Sequence, residues 1–475
     1  MKYQHKRNRR PSLTRIAPIV AGILALANSP AAFAAPADEP YNLMNQAHQT
    51  STLFTTKSIT RHGMGGGKPK VYKGNIYALY AREEDERVMV AKVSLNGSAA
   101  VTMPLVTVAD TTPKQKGYKA PEDNHGQYII EVDGSGYIHV CGAMHSSHIV
   151  YWRSDRPEDI SPFTRKLPDN TLSPGTQPCP IAGSLTFPHF FSARNGQLFW
   201  TCQQGDGPLC SYDETTKLWT ALGSPLGTHA SKTKNSNYIS FFYEDNVSRT
   251  STDTNSVKGG ITQRIIDVAW DSKNRMHLAM GLLNKNTYGK HLGNATDILY
   301  AYSDDGGKTV YKSDGKRIQL PIRAEAGPHQ GEVIINESSD HTTNYAWLDA
   351  GVHIAVDKAD RPMIWCHSHT TGNHCFRLES GRWVDYPAAP FGSSFSTDPS
   401  GVVICKHDKS DNRGFTRFWN PDGRNSETLD LPERVRGYDQ KYYRDTGELV
   451  WTSLSGKSTS ATYTIHRTVF DRVSK

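Results

Sequence analysis

The stretch Asp133-Gly134-Ser135-Gly136-Tyr137-Ile138-His139-Val140 combines a tight turn with the start of a strand. Asp, Gly and Ser favour turns, and alternation of apolar residues is typical of a half-buried strand. The same turn-then-strand unit occurs in seven segments, at residues 73–79, 133–140, 195–200, 271–278, 357–365, 398–404 and 445–451. Repeated units of this kind predict a blade array in which neighbours cover each other's faces. Seven copies therefore predict an all-β, seven-bladed β-propeller in a single domain, with function on the loops around the central channel.

A second motif supports the propeller. Residues Ser303 to Val310 fit the Asp-box pattern S-x-D-x-G-x-T-aromatic, except that Val310 replaces the aromatic residue. In such a turn the Ser and Asp side chains accept hydrogen bonds from backbone amides, and Gly supplies the positive φ. The motif predicts a structural hairpin turn without a catalytic role.

The N-terminal segment has the features of an export signal. Basic residues precede an apolar stretch from Ile16 to Ala27, and Ala32-Phe33-Ala34 is a small-x-small cleavage site. The apolar stretch is too short to span a bilayer, so no membrane span is expected. We therefore predict a signal peptide at 1–34, a lead-in segment at 35–52 and the propeller at 53–475. The mature protein would be secreted or periplasmic.

The basic character of the chain belongs to that signal. The whole sequence has a formal net charge of +7, but residues 1–34 hold six basic and no acidic residues, leaving 48 basic against 47 acidic. A nearly neutral mature chain gives no argument for nucleic-acid binding. The expected state is a monomer.

Two histidines in the second repeat are candidate catalytic residues. His125 precedes one strand and His145 follows the next, so antiparallel pairing about the 133–136 turn brings both to one end of a blade. Two imidazoles at a propeller mouth could supply a general base and a partner that tunes it. Scattered surface histidines would give the same pattern.

The segment from Asp123 to Ser154 resembles the BNR-repeat propeller lyases that cleave uronate-containing polysaccharides, among them the ulvan lyases. The shared pattern is D-x-H, a D-x-x-G turn, H-V, a further His and Y-W-R-S. The resemblance implies a seven-bladed, exported enzyme specific for acidic glycans. It implies that His125 and His145 act in the active site. The neighbouring Asn124 is a further candidate for substrate binding.

A second family motif departs from the pattern. Phe187 stands where the family has an active-site Tyr, and Gln203 where it has an Arg. Phe cannot transfer protons, and Gln brings no charge to a substrate carboxylate. We expect His125 to act as the base, with His145 or Tyr243 as proton donor, and Arg264 or Gln203 on the carboxylate. His189 and Arg153 are further candidates for substrate binding.

A metal site is predicted near the fifth repeat. A hairpin over 361–378 would place Cys366 nearly opposite Cys375, with His353 on the preceding strand and His374 nearby. Two thiolates and one or two imidazoles suit a tetrahedral, structural zinc, which the chemistry itself would not require. The alternative is a Cys366–Cys375 disulfide with surface histidines.

Three functions remain open at this point. The leading one is a polysaccharide lyase that cleaves an acidic, uronate-containing glycan, ulvan first, by β-elimination. The second is a glycoside hydrolase acting on rhamnose–glucuronate linkages, with Arg61-His62 as its candidate residues. The third is a non-catalytic glycan-binding propeller.

Overall fold

The structure is a computed structural model. It describes residues 47–59, 67–105, 127–142, 151–161, 163–165, 187–202, 208–225, 239–244, 263–284, 294–324, 331–336, 352–368, 372–387, 389–390, 392–407, 413–457 and 459–471. The first strand is β1 (His48–Ser58). Nearly all further elements are strands, as the repeats predict.

The strands are grouped into blades, each running from the innermost strand outward. Blade I comprises β2 (Lys70–Tyr72), β3 (Asn75–Ala81), β4 (Val88–Ser94) and β5 (Ala100–Pro104). Blade II comprises β6 (Ile129–Val132), β7 (Ile138–Cys141), β8 (Tyr151–Ser154) and β9 (Phe163–Arg165). Blade III comprises β10 (Pro188–Ser192), β11 (Leu198–Cys202), β12 (Leu209–Asp213) and β13 (Leu218–Leu222).

Three short strands follow blade III in the sequence. β14 (Ser224–Pro225) pairs with β15 (Ile239–Ser240), and β16 (Phe242–Glu244) pairs with a later strand described below. Blade IV comprises β17 (Gln263–Trp270), β18 (Met276–Asn284), β19 (Asn294–Ser303), β20 (Val310–Tyr311) and β21 (Arg317–Ile318). Two more strands follow, β22 (Ile322–Ala324), which runs parallel to β16, and β23 (Glu332–Asn336), which pairs with β19.

The remaining blades complete the ring. Blade V comprises β24 (His353–Val356), β25 (Pro362–Ser368), β26 (Gly372–Glu379) and β27 (Arg382–Pro387). Blade VI comprises β28 (Ser393–Thr397), β29 (Val403–Lys406), β30 (Gly414–Phe418) and β31 (Ser426–Asp430). Blade VII comprises β32 (Val435–Tyr438), β33 (Leu449–Lys457) and β34 (Ser460–Phe470), with β1 as its outermost strand. The described residues thus form seven blades, which confirms the predicted fold class.

The seven sequence repeats share one place in the blades. Each repeat covers the connection between the innermost strand and the second strand. The repeated turns therefore lie together at one end of the ring, which we call the turn face. The innermost strands begin at the opposite end, which we call the mouth face.

An aspartate closes this turn in four blades. The first carboxylate oxygen of Asp133, Asp271, Asp357 and Asp398 accepts the backbone N–H four residues later at 2.8–2.9 Å. The side chain thus satisfies an amide that the turn would otherwise leave unpaired. This local chemistry is the reason why the turn could be recognised in the sequence.

The core is divided among the blade interfaces. Because successive side chains of a strand point to opposite faces, each blade contributes to two interfaces. In β3, Ile76, Ala78 and Tyr80 are buried against blade VII, whereas Tyr77 and Leu79 are buried against blade II. The buried apolar side chains of the described residues form seven clusters, one between each pair of adjacent blades.

The ring is closed by its first strand. β1 pairs antiparallel with β34 from His48↔Phe470 to Ser58↔Ala461. β1 therefore belongs to blade VII, and its first residues, His48 to Thr52, fall within the predicted 35–52 lead-in segment. The sequence did not indicate this pairing because the partner strand of β1 lies about 400 residues later.

The Asp-box prediction is confirmed. The Ser303 hydroxyl accepts the Gly307 N–H at 2.7 Å, and the Asp305 carboxylate accepts the Thr309 N–H at 2.8 Å. Gly306 and Gly307 have φ values of 71° and 91°. The motif connects β19 to β20 as a structural turn.

The described part of the chain contains one helix, α1 (Gln440–Thr446), in the turn between β32 and β33. Asp439 caps its N-terminus by accepting the N–H groups of Lys441 and Tyr442, and Gly447 ends it in the left-handed conformation. No helix among the described residues has the length and apolar character that a membrane crossing requires.

Candidate functional site

Four side chains from four blades interact electrostatically at the channel axis. They are Lys68, just before β2, His189 in β10, Asp267 in β17, and His353, the first residue of β24. We call these four residues the axial cluster. Lys68, His189 and His353 lie at or near the starts of innermost strands, which places the cluster on the mouth side of the channel.

Asp267 links two blades within this cluster. Its Oδ2 accepts the Ile354 N–H of blade V at 3.1 Å and lies 3.5 Å from His353 Nδ1. Its Oδ1 accepts the N–H of Val268 at 3.0 Å. The carboxylate is therefore held in place by backbone donors while it orients the His353 ring.

His189 is a neutral imidazole over most of the pH range. Burial lowers the pKa of His189 to about 4, the neighbouring Lys68 and His353 lower it further, and Asp267 opposes them. A neutral imidazole can accept a proton or a hydrogen bond near pH 7. The sequence predicted His189 as a substrate-binding residue, and the structure places it in the axial cluster.

Lys68 is the cation of the cluster. Burial lowers the pKa of Lys68 to about 8, with further lowering from Lys70 and Lys406 that Asp267 and Glu131 only partly offset. Its Nζ donates a hydrogen bond to Gln440 Oε1 at 2.6 Å. Perturbed pKa values of this kind cluster at functional sites, although structural networks also cause them.

A cavity of about 580 Å³, part of it open to solvent, lies along the axis beside the cluster. Innermost strands of blades III to VI line it, and helix α1 contributes Gln440, Lys441 and Arg444 on the turn side. Lys70, which also lines it, pairs with Glu131 at 2.5 Å.

Four of the predicted site residues lie outside the described residues: Asn124, His125, His145 and Gln203. The described strands next to the two histidines are β6 and β7, which pair through Ile129↔Cys141. Ile129 begins β6 and Cys141 ends β7, so both of these residues lie at the mouth face. The pairing expected around the 133–136 turn is present in the described part of blade II.

Tyr243 and Arg264 lie on strands at the boundary of blade IV. Tyr243 is the middle residue of β16 and pairs with Arg323 in parallel register, and Arg264 is the second residue of β17 and pairs with Leu282. The start of β17 is its mouth-side end. Their roles as proton donor and carboxylate ligand stay predictions.

Phe187 has an unusual backbone conformation. Its φ is 53°, in the left-handed region that bulky residues rarely adopt, directly before β10 begins. Such residues persist where the surrounding structure fixes them, often beside functional sites. The position that carries a Tyr in the resembling lyases is therefore a constrained entry into the strand that bears His189.

Arg153 lies away from the channel axis, and its role in substrate binding stays a prediction. It lies on β8, the third strand from the axis, and its Nη1 donates to the Tyr212 hydroxyl at 2.8 Å and to the Lys217 carbonyl at 3.0 Å. Tyr212 and Lys217 belong to blade III. The guanidinium joins two blades near the turn face.

The predicted zinc ligands do not converge. In the hairpin of blade V, Cys366 pairs with His374, whereas Cys375 pairs with Trp365, which also pairs with His353. Cys366 therefore faces the interface with blade IV and Cys375 the interface with blade VI. Two of the predicted ligands therefore lie on each side of one sheet, and zinc binding stays a prediction.

The contacts of these residues agree with that separation. His374 Nδ1 lies 3.0 Å from the Asp385 carboxylate, and burial raises the pKa of the Cys375 thiol well above its usual value, which disfavours the thiolate that a metal needs. No group of three or more potential metal ligands occurs among the described residues.

Sequence reasoning missed Lys68 and Asp267. The available signal was local: Asp267 interrupts the apolar run Ile265-Ile266-Asp267-Val268, where a buried carboxylate is costly unless it is paired. Lys68 had no comparable signal, because its neighbours in the cluster come from blades III, IV and V.

Comparison with known families identifies the chain. Residues 75–389 match the family described as BNR repeat-containing family member. The chain belongs to this family. No curated protein matches it.

Solved structures with the same fold as this BNR-repeat protein include polysaccharide lyases. One is the crystal structure of polysaccharide lyase Uly1, with 15% identity, coverage of 86% of this chain and 90% of that chain, and a TM-score of 0.54. Another is an ulvan lyase of a new polysaccharide lyase family, PL25, with 11% identity, coverage of 87% and 95%, and a TM-score of 0.54. The same ulvan lyase bound to -[GlcA(1-4)Rha3S]- has a TM-score of 0.55. At these identities the likeness concerns the fold.

Proposed function

We propose that this BNR-repeat protein is an exported polysaccharide lyase that cleaves an acidic, uronate-containing glycan by β-elimination, with ulvan as the first substrate to test. In that reaction a base takes the C5 proton of the uronate and the C4–O bond breaks. The leaving oxygen receives a proton and a C4=C5 double bond remains. A cation near the uronate carboxylate stabilises the charge that builds up as the proton leaves.

The observation that carries the proposal is the axial cluster. Lys68 supplies a cation and His189 a neutral imidazole on the mouth side of the channel, where the described strands of blade II also end. Elimination needs these two kinds of group, a charge for the carboxylate and bases and acids for two proton transfers.

The assignment of roles follows the family resemblance. His125 is the proposed base, and His145 or Tyr243 the proposed donor to the leaving oxygen. Arg264 or Gln203 is proposed to contact the carboxylate, with Asn124 and His189 as further substrate contacts. These roles rest on matching positions and on the topology of blade II.

A hydrolase is less well supported by the channel. Most glycoside hydrolases use a pair of carboxyl groups across the scissile bond. The carboxylates near the axis are already engaged: Glu131 pairs with Lys70, Asp439 accepts the Val71 N–H and caps α1, and Asp267 accepts two backbone amides. The described part of the channel therefore offers no uncommitted pair.

Incubation of the purified mature protein with ulvan, followed by ultraviolet absorbance of the unsaturated uronate product, tests the proposal. His125→Ala should abolish the rise in absorbance. His48→Ala is the matched control, because His48 is exposed on the outermost strand of blade VII. New reducing ends without absorbance would indicate a hydrolase. Binding without either signal on any uronate glycan would indicate a non-catalytic propeller.

A further inference from the structure

Most charged side chains along the channel axis have a partner of opposite charge or hydrogen bonds from backbone N–H groups. Lys70 pairs with Glu131 at 2.5 Å, and Arg444 pairs with Asp445 at 3.1 Å. The Asp439 carboxylate accepts the Val71 N–H at 2.7 Å and two helix N–H groups. These groups have structural partners and need no ligand.

Lys68 is different. Its Nζ donates to the neutral side chain of Gln440, and among the described residues it has no carboxylate within ion-pair distance. Gln440 is itself fixed, because its Nε2 donates to the Phe395 carbonyl at 2.8 Å and its own carbonyl accepts the Ser396 hydroxyl at 2.8 Å. Gln440 therefore offers the Lys68 ammonium a fixed amide dipole but no negative charge.

The charges around Lys68 leave a deficit of negative charge. Lys70 and Lys406 act on it as like charges, whereas Asp267 and Glu131 act in the opposite sense. Glu131 is shared with Lys70, and the carboxylate of Asp267 is shared with His353 and the Ile354 N–H. A partly buried ammonium without its own anion is costly, and a bound anion would remove that cost.

The backbone of Lys68 lies on the mouth side of the channel, and its side chain extends to Gln440 of α1. Lys68 precedes the mouth-side start of β2, and Lys406, which it senses, is the last residue of β29 and lies at the mouth face. The nearby His189 and His353 belong to the mouth-side starts of their strands. An anion at Lys68 would thus lie near neutral or cationic groups from several blades, with Asp267 as the carboxylate of the axial cluster.

We propose that Lys68 binds the uronate carboxylate of the glycan and supplies the positive charge that Gln203 cannot provide. This inference rests on the proposed function and deepens it, since it names the residue that recognises the acidic group. Lys68 would be charged in the free protein at neutral pH and would hold its proton more tightly once the carboxylate is bound.

Calorimetric titration with a uronate-containing oligosaccharide, in the His125→Ala background to prevent turnover, tests this role. Lys68→Met should weaken binding by about tenfold or more, the scale of a lost charge-assisted hydrogen bond. Lys57→Met is the matched control, because Lys57 is exposed on β1. Lys68→Arg, which keeps the charge, should retain most of the affinity. Thermal melting shows that each variant is folded.

Two ligand variants identify the group that Lys68 recognises. With a carboxyl-reduced oligosaccharide the difference between wild type and Lys68→Met should disappear, whereas with a desulfated one it should persist. The opposite pattern would mean that Lys68 binds a sulfate ester, and it would overturn the proposal. Equal binding by wild type and Lys68→Met would overturn it as well, as would failure of the wild type to bind any acidic oligosaccharide.

The pH dependence gives an independent readout. Wild-type binding should weaken as the pH rises through the Lys68 pKa of about 8, whereas Lys68→Arg should not follow this change, because Arg stays protonated. Measured together, binding and product formation distinguish this proposal from the proposed lyase function. Charge-dependent binding at Lys68 without unsaturated product would support this inference and refute the lyase. Unsaturated product with unchanged binding in Lys68→Met would refute this inference alone.

Discussion

The carboxylate of Asp267 on blade IV lies 3.5 Å from His353 Nδ1 on blade V and accepts the N–H of the next residue, Ile354, at 3.1 Å. One acidic side chain thereby joins two blades at the axis and orients an imidazole that the sequence had suggested as a zinc ligand. His353 is thus an electrostatic partner in the channel.

Removal of this carboxylate should destabilise the protein through an unpaired amide. Asp267→Ala leaves the Ile354 N–H without its acceptor, and a buried unsatisfied donor costs about 1–3 kcal/mol. Asp267→Asn keeps an acceptor oxygen, so its unfolding free energy should fall by less than half as much as that of Asp267→Ala. Urea unfolding of the two variants measures the difference. Equal losses would mean that the charge, rather than the hydrogen bond to Ile354, is what stabilises the blade contact.

Arg153 should contribute to stability and not to glycan binding. Arg153→Ala removes the hydrogen bonds to the Tyr212 hydroxyl and the Lys217 carbonyl between blades II and III. We expect a loss of about 1–3 kcal/mol in unfolding free energy, the range for leaving partly buried partners unsatisfied. Affinity for a uronate oligosaccharide at a temperature where the variant is folded should be unchanged. Weakened binding by a variant of normal stability would instead support the substrate-binding role that the sequence suggested.

The features that could be predicted from sequence are local ones. The aspartate turns and the Asp box involve hydrogen bonds between residues four apart, as in Asp271 with Arg275 and Asp305 with Thr309. The count of seven turn-then-strand segments led to the prediction of a seven-bladed fold.

Features that depend on register and on ring closure could not be predicted in this way. A shift of one residue in the blade V hairpin exchanges the faces of a strand, so pairing Cys366 with His374 instead of Cys375 separates the expected ligands. The axial cluster depends on bringing Lys68 and Asp267 together across about 200 residues of sequence. The resemblance pointed to the mouth face, but the cation there became visible only in three dimensions.

Acidification should destabilise the protein through His189. Its folded pKa of about 4 lies below the value of roughly 6.5 for an exposed histidine, so the unfolded chain binds the proton first as the pH falls. The neutral His189 contributes fully to the unfolding free energy above the unfolded pKa, and this contribution is lost as the pH falls from about 6.5 to 4. At pH 5 the loss amounts to about 2 kcal/mol. The unfolding free energy of His189→Gln should therefore fall less between pH 7 and 5.

The matched control for this experiment is His48→Gln. His48 is exposed on β1, so its substitution should leave the pH dependence of the wild type unchanged. Burial also lowers the pKa of His139 and His466, and both remain in every variant, so the difference between His189→Gln and wild type isolates one residue. If the unfolding free energies of His189→Gln and wild type changed with pH in the same way, His189 would not be buried in its neutral form.

Ring closure by β1 should determine the stability of the whole propeller. Phe54 on β1 packs on the cluster between blades VII and I, with its ring 6.2 Å from that of Tyr80. Phe54→Ala should lower the unfolding free energy by about 2 kcal/mol, less than the 3–5 kcal/mol typical of a fully buried Phe because this side chain is half-buried. Lys57→Ala, on the same strand but exposed, should cost less than about 0.5 kcal/mol.

The cooperativity of unfolding tests the closure itself. Because β1 joins the start of the described chain to β34 near its end, unfolding of Phe54→Ala should stay a single transition that moves to a lower urea concentration. Near- and far-ultraviolet circular dichroism measure this transition. If Phe54→Ala instead melts blade VII alone in a separate early transition, the closing strand stabilises its own blade and not the ring.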